Sequence, residues 1–282
     1  MDQLEIGLCL GTVIGAGLVE MIDLAAKHGF PTIAVSPHTY DEALAAGETP
    51  RSLHRRLVDA GVRVRVIDCI AAGMPGMPTA PIEFGGQQLK SYTAEECIAI
   101  ADALDAPILN ISLYHSEPVP LAEMADAVGA VCRKAGPEKT VVLEFYPESG
   151  IDSLATAQAI AEACGEPNCR VLMDFWHFSR SGGTVAEIVA LPPDAIGALQ
   201  LSDRTEPPPG TAYVPRTGRK LPGEGELPLT ALIDAVLENS PGITAEVEVF
   251  SDELQNLPHD AAAARAAAAV RTWRQGVSAA WA

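Results

Sequence analysis

A single α/β domain, a closed (β/α)8 TIM barrel, is the fold that the sequence predicts, and three observations predict it. Eight short apolar runs recur along the 282 residues. Helix-sized amphipathic segments lie between them. Glycine, proline and asparagine punctuate the joins, as in Lys27-His28-Gly29-Phe30-Pro31, Asp59-Ala60-Gly61 and Glu166-Pro167-Asn168. Strands separated by helix-length segments imply a parallel sheet, because a parallel neighbour is reached only by a long crossover. Eight such units in a chain of this length fit a closed barrel spanning residues 1–282 as one domain. An open doubly wound sheet is the rival, and it carries a glycine-rich phosphate loop after an early strand. The run Gly11-Thr12-Val13-Ile14-Gly15-Ala16-Gly17 matches neither that loop nor a P-loop, and it reads as a strand-to-helix turn.

In chain order, the first predicted strand is Leu4–Leu10 and its helix Gly17–Lys27. Thr32–Ser36 is followed by a helix over Arg51–Ala60, and Val62–Asp68 by one over Ala94–Leu104. Ile108–Ser112 leads to Leu121–Lys134, and Thr140–Phe145 to Asp152–Cys164. Arg170–Asp174 leads to Val185–Ala190, Ala195–Ser202 to Leu229–Glu238, and Ile243–Val249 to the alanine-rich Asp260–Gln275. Three long connections, at roughly residues 70–91, 113–119 and 203–227, all follow strands. In a barrel those loops build the active-site face.

Composition narrows the function. Acidic residues outnumber basic ones 37 to 19, a formal net charge of −18. That balance argues against nucleic-acid and anionic-membrane partners, which need clustered Lys and Arg. No apolar run is long enough for a transmembrane helix. The start, Met-Asp-Gln-Leu-Glu, lacks the basic and apolar regions of a signal peptide. Six scattered cysteines with no C-x-x-C pair read as reduced thiols of a cytoplasmic protein; Cys164 and Cys169 are close enough in sequence to bridge a loop as a lesser alternative.

Polar residues end four otherwise apolar strands. These are Glu144 after Val-Val-Leu, Asp174 after Val-Leu-Met, Gln200 after Gly-Ala-Leu, and Glu248 near the end of the last strand. Side chains alternate along a strand, so Glu144 shares a face with Val142, Asp174 with Leu172 and Gln200 with Ala198. If those faces point inward, the four groups converge at one end of the barrel. Carboxylates gathered in an apolar space stay protonated, are covered by arginines, or enclose a cation. Their oxygens suit a hard divalent ion, Mn²⁺ or Mg²⁺. One acidic strand end is an ordinary solvated feature, whereas four at the matching ends of successive strands predict a metal site.

Leu143-Glu144-Phe145, Asp174-Phe-Trp-His177, Leu-Gln200-Leu-Ser-Asp203, Leu221-Pro-Gly-Glu-Gly-Glu-Leu-Pro and Val247-Glu248-Val-Phe-Ser together resemble the xylose isomerase-like TIM barrel superfamily. The motifs cover roughly residues 140–255, and strand spacing covers the rest. The resemblance implies one divalent ion held by Glu144, Asp174, Gln200 and Glu248. Many members carry His where this chain has Gln200; hydroxypyruvate isomerase and the 3-dehydroshikimate dehydratases look similar in using Gln. The replacement makes zinc the less expected ion. Glu248 before Val-Phe-Ser fits the pattern better than Glu246, which would lie one layer deeper, paired with a buried Arg or Lys; a register two residues off would exchange them. His177 reads as a substrate-facing donor or proton shuttle, against packing alone. Arg216-Thr-Gly-Arg219 is similar to an R-x-x-R that faces a substrate carboxylate in the dehydratases, against a surface salt bridge to Glu224 or Glu226. His38, Asp68 and His115 follow or end earlier strands and would face the same mouth. Trp176, with Phe175, Tyr114 and Tyr146, would form apolar pocket walls or barrel–helix packing. His28, His54 and His259 read as structural.

Such a constellation suits proton transfer beside a carbonyl, with Glu144 or Glu248 as base and the ion stabilising an enediolate. The expected activity is a divalent-metal-dependent isomerase or epimerase of a hydroxy-ketone sugar or polyol-like substrate, in carbohydrate metabolism. Gln200 and R-x-x-R favour the alternative, a metal-dependent dehydratase (lyase) of the 3-dehydroshikimate or keto-inositol kind. Endonuclease IV shares the superfamily but needs several metals, many histidines and a basic face. A non-catalytic binding subunit on the same fold is the remaining alternative. A small molecule is the expected partner, and a homo-oligomer is compatible with the sequence.

Overall fold

The computed structural model describes residues 4–78, 82–84, 87–114, 116–206 and 218–280. The chain opens with β1 (Ile6–Leu8), a 3-10 turn (Leu10–Thr12) and α1 (Leu18–His28), which buries Leu18, Met21, Ile22 and Leu24 against the barrel. β2 (Thr32–Val35) runs into α2 (Pro37–Ala45), and α3 (Pro50–Ala60) precedes β3 (Arg63–Ile70). α3 is bounded by local chemistry. Thr49 and Ser52 form a capping box, Pro50 sits in the first turn, and Gly61 ends the helix at φ +66°. A hairpin of β4 (Ile82–Phe84) and β5 (Gln87–Leu89) follows, then α4 (Ala94–Leu104), β6 (Ile108–Ser112) and α5 (Leu121–Ala135).

The second half carries β7 (Thr140–Glu144), α6 (Leu154–Cys164), β8 (Cys169–Asp174), α7 (Phe175–Arg180) and α8 (Val185–Val189). β9 (Ile196–Leu201) follows, with an antiparallel ribbon of β10 (Asp203–Arg204) and β11 (Arg219–Lys220). The chain ends with α9 (Leu229–Asn239), β12 (Ala245–Val247), α10 (Asp252–Gln255) and α11 (His259–Ala280). β1, β12, β9, β8, β7, β6, β3 and β2 pair in that order as a closed, all-parallel barrel. No helix among the described residues is long and apolar enough to cross a membrane.

All eight expected strands are present, and the differences have local causes. Leu10 turns into the 3-10 segment, and Ile243 and Thr244 remain outside β12. Three helices were not expected, the short α10 among them. Ser36 accepts a hydrogen bond from the His38 amide and Pro37 opens α2, while Asp174 both ends β8 and caps α7. Two of the connections expected to be loops hold paired strands, β4–β5 and β10–β11.

Cys9, Ala34, Val66, Ile108, Val142, Leu172 and Ala198 form a small apolar cluster of their own. The larger cluster packs the outward strand residues against the helices. Between β2 and β3 the register shifts, Ile33 facing Val64 and Ala34 facing Val66, so Arg65 is an extra residue. Its Nε lies 3.4 Å from Thr244 Oγ1, and its charge acts on Glu246. The buried Arg or Lys expected to pair with Glu246 is not there among the described residues: half-buried Arg65 acts on it through charge alone, and Glu246 Oε1 accepts no hydrogen bond.

Burial pushes the Glu246 carboxyl up to about 8, against the opposing pull of Arg65. The folded chain therefore holds a proton that the unfolded chain releases, and its stability falls as pH rises from 4.5 through about 8. Glu246→Gln removes this loss. Urea midpoints of both proteins at about pH 5 and about pH 8.5 are expected to show the variant gaining on wild type as pH rises. Parallel pH profiles would contradict the assignment.

Candidate active site

Strand alternation puts the polar groups at the carboxyl ends of the barrel strands. Glu144 closes β7, Asp174 closes β8, Gln200 is the penultimate residue of β9, and Glu248 follows β12. All four are at most 3% exposed. Gln200 Nε2 donates to Glu248 Oε1 at 3.0 Å. The amides of Trp176 and His177 donate to Asp174 Oδ1 at 2.6 and 3.2 Å, which fixes that carboxylate at the start of α7.

Further groups complete the cluster. Asn110 Nδ2 donates to Asp68 Oδ1 at 2.8 Å and to Glu144 Oε2 at 2.9 Å, and so joins two carboxylates. Cys9 Sγ donates to Glu248 Oε1 at 3.1 Å. His177 Nε2 lies 3.6 Å from Glu144 Oε1 and 3.8 Å from Asp174 Oδ2. Its ring packs edge-on against Tyr146 and Trp176, at 5.1 and 5.4 Å between centroids. Tyr114 in turn packs against Tyr146. Phe175 and Trp176 are buried, and Phe175 joins the outer core.

Arg219, on β11, is 4% exposed and reaches into this cluster. Its Nη2 pairs with Asp174 Oδ2 and, at 3.0 Å, with Glu248 Oε2. The guanidinium lies 5.2 Å from the Trp176 ring centroid and 5.5 Å from that of Phe250. This replaces the surface pairing to Glu224 or Glu226 weighed from the sequence. The ribbon that carries Arg219 is held by Asp203, which accepts from the amides of Arg204, Gly223, Gly225 and Leu227 at 2.8–3.1 Å.

Electrostatics follow from the crowding. Burial, then Asp68 and Asp174, push Glu144 up to about 8. Burial also raises Glu248, with Arg219 opposing and the neighbouring carboxylates adding. For Asp174 burial acts upward too, but Arg219, His177 and the His177 amide outweigh it and hold the carboxyl low. Burial lowers His177 to about 4, so its ring is neutral near neutral pH.

Glu144 Oε1, Gln200 Oε1 and His177 Nδ1 are buried without a hydrogen-bond partner. Buried polar atoms are ordinarily satisfied, and such oxygens are free to meet a cation or substrate. Ligand atoms of Glu144, Asp174 and His177 lie within 4.8 Å of one another, as do those of Cys9, Asp68 and Glu248. The Glu144, Asp174 and His177 donors therefore fit a divalent ion, whereas Glu248, expected beside them, groups instead with Cys9 and Asp68 and meets Gln200 through its hydrogen bond.

The other expected residues separate. Asp68 joins the cluster through Asn110, whereas the half-exposed His38 pairs with Glu42 at 3.2 Å on α2. His115 and Arg216, with the Pro207-Pro208-Pro209 run, lie outside the described residues. His28, His54 and His259 pair with Asp260, Asp105 and Glu20. The sequence does not mark Asn110 or Cys9 as site residues, because each is a small polar residue inside an apolar run. The same parity argument that finds Glu144 would have found Asn110.

The family profile described as xylose isomerase-like TIM barrel matches residues 22–274. The chain belongs to that family. A family relative from Streptomyces coelicolor, named "Putative hydroxypyruvate isomerase", is 26% identical over 276 residues, covering 88% of this chain and 93% of that one. Inosose isomerase of Halalkalibacterium halodurans is 26% identical over 119 residues, 42% of each chain. Among solved structures, that of the IolI protein with a bound zinc atom superimposes with a TM-score of 0.77 at 16% identity, over 95% of this chain and 96% of that one. Both named relatives thus carry isomerase names, and the barrel is the shared scaffold.

Asn110→Ala leaves Asp68 and Glu144 without their shared donor. The loss expected in the metal-free protein is about 2 kcal/mol of unfolding free energy by urea titration, and Asn110→Asp is expected to lose more. An Asn110→Ala variant as stable as wild type would show the bridge to be dispensable.

Proposed function

We propose that the protein is a divalent-metal-dependent isomerase or epimerase of a hydroxy-ketone sugar or related polyol. The observation that carries this reading is the buried set Glu144, Asp174, Gln200 and Glu248, with two oxygens that lack partners. Arg219, held by two of the four, supports the inference that the cluster draws in positive charge. Those four residues would hold the ion, and their all-oxygen donor set favours Mn²⁺ or Mg²⁺. A bound ion would supply Lewis-acid stabilisation of charge developing on a carbonyl oxygen and its neighbouring hydroxyl.

The chain's own residues account for the proton movements. Glu144 or Glu248, as carboxylate, takes the proton from the carbon that bears the hydroxyl. The hydroxyl proton passes to the neighbouring carbonyl oxygen, and the new carboxylic acid returns its proton to the adjacent carbon. Epimerisation uses both groups: one carboxylate takes the proton, and the other, as carboxylic acid, delivers its own proton to the opposite face of the same carbon, without the hydroxyl transfer. Neutral His177, 3.6 Å from Glu144, is positioned to donate to a substrate oxygen. Trp176 and Tyr146 beside His177 supply apolar surface that limits water. The names of the two isomerase relatives support a keto-compound as substrate.

A dehydratase would expel a β-hydroxyl from the same proton-abstracted state. That reading uses Arg219 to grip a substrate carboxylate, but Asp174 and Glu248 already engage its guanidinium. Carboxylates that hold an ion would release that guanidinium, so Arg219 does not separate the two reactions, and the names of the two isomerase relatives are what favour isomerisation.

The test is solvent exchange. Manganese-loaded protein is incubated with a panel of keto-sugars and keto-cyclitols in heavy water and followed by proton NMR. Deuterium is expected at the carbon next to the carbonyl in at least one substrate, with isomer formation and no enone. Glu144→Gln and Glu248→Gln are expected to slow it by roughly 100-fold or more. Enone formation would move the assignment to the dehydratase, and no exchange in any substrate would refute it.

A further inference from the structure

Three of the six cysteines meet at the end of the barrel opposite the mouth. Cys132 lies near the end of α5, Cys164 ends α6, and Cys169 opens β8. Their sulfurs all lie within 4.8 Å of one another. Asp174 closes the same strand five residues after Cys169, about 17 Å away at the rise of a β-strand. The cluster is therefore separate from the carboxylates of the mouth.

The surrounding chain holds the thiols in place. Cys164-Gly165-Glu166-Pro167-Asn168-Cys169 is a tight connection in which Gly165 adopts φ +70° and the Cys169 amide bonds back to the Glu166 carbonyl at 3.1 Å. Asn168 Nδ2 reaches the carbonyls of Cys132, Gly136 and Lys139 at 3.0–3.1 Å, tying this connection to the end of α5. Gly129, one turn before Cys132, leaves the Cys164 carbonyl only 3.4 Å from where a Cβ would stand, so α5 and α6 approach closely there. Cys132 is buried, whereas Cys164 and Cys169 are half-buried. The cluster thus has a closed floor and an open side.

We propose that Cys132, Cys164 and Cys169 form a second metal site that takes one thiophilic ion of the zinc or copper(I) class. Thiolate ligands at about 2.3 Å from a tetrahedral ion stand roughly 3.8 Å apart, within the spread seen here after side-chain rotation. Three sulfurs leave a fourth position toward the open side for water or another donor. An ion there would clamp α5, α6 and β8 together at the face that stabilises a barrel.

Cadmium is the probe, because its thiolate complexes absorb in the ultraviolet. The fully reduced Glu144→Ala, Glu248→Ala protein is titrated with Cd²⁺, so that the mouth has lost two of its carboxylates. One equivalent is expected to develop the thiolate-to-cadmium band and raise the melting temperature. Cys164→Ser, Cys169→Ser in the same background keeps the buried Cys132, and circular dichroism checks its fold. That variant is expected to lose both the band and the thermal shift. No band in the parent, or an undiminished band in the variant, would overturn the proposal. Neither result depends on catalysis, so this test stands or fails apart from the isomerase reading.

Discussion

The architecture depends on how it contains negative charge inside the barrel. Glu144, Asp174 and Glu248 share one dehydrated mouth with Asp68 beside them, while Glu246 lies a step deeper. Carboxylates this close cannot all ionise without compensation. The fold supplies part of it at each group. Asp174 has the first amides of α7 and Arg219, Glu248 has Arg219, Gln200 and Cys9, and Glu144 has Asn110. Glu246 has only the electrostatic influence of Arg65, which a register shift inserts. Compensation stops short at Glu144 and Glu248, both of which burial leaves raised.

That shortfall links scaffold to chemistry. A mouth with spare acceptor oxygens is a place for a cation, and a carboxyl whose proton affinity is raised is a better base once ionised. The aromatic and backbone elements around it serve orientation. Trp176 and Phe250 flank the Arg219 guanidinium, and Asp203 collects four amides to hold the turn from which β11 enters. Loss of any of these would misplace charge rather than remove it.

Much of this was legible in the sequence, for identifiable reasons. Strand alternation is a strict period, so Val142 and Glu144, or Leu172 and Asp174, declare their common face without a structure. The eight strands and the convergence of four polar ends follow from it. Arg219 was ambiguous because a loop gives no period, and its direction depends on Asp203 contacts 20–24 residues apart in sequence. α7 escaped notice because Asp174 serves two elements at once, as strand end and helix cap. The Arg65 insertion was illegible, since a bulge is a relation between two strands and leaves no mark on either alone. The meeting of Cys132 with Cys164 and Cys169 is likewise a product of packing, 32 residues separating the first two.

Whether the mouth carboxylates hold one divalent ion is read from metal content. Wild-type protein and the Glu144→Ala, Glu248→Ala variant are loaded with manganese, freed of excess, and measured by mass spectrometry with circular dichroism as a fold control. About one manganese per chain is expected in the wild type, lost in a folded variant. A wild type that retains no manganese after loading would contradict the metal site, as would a folded variant that retains as much as the parent.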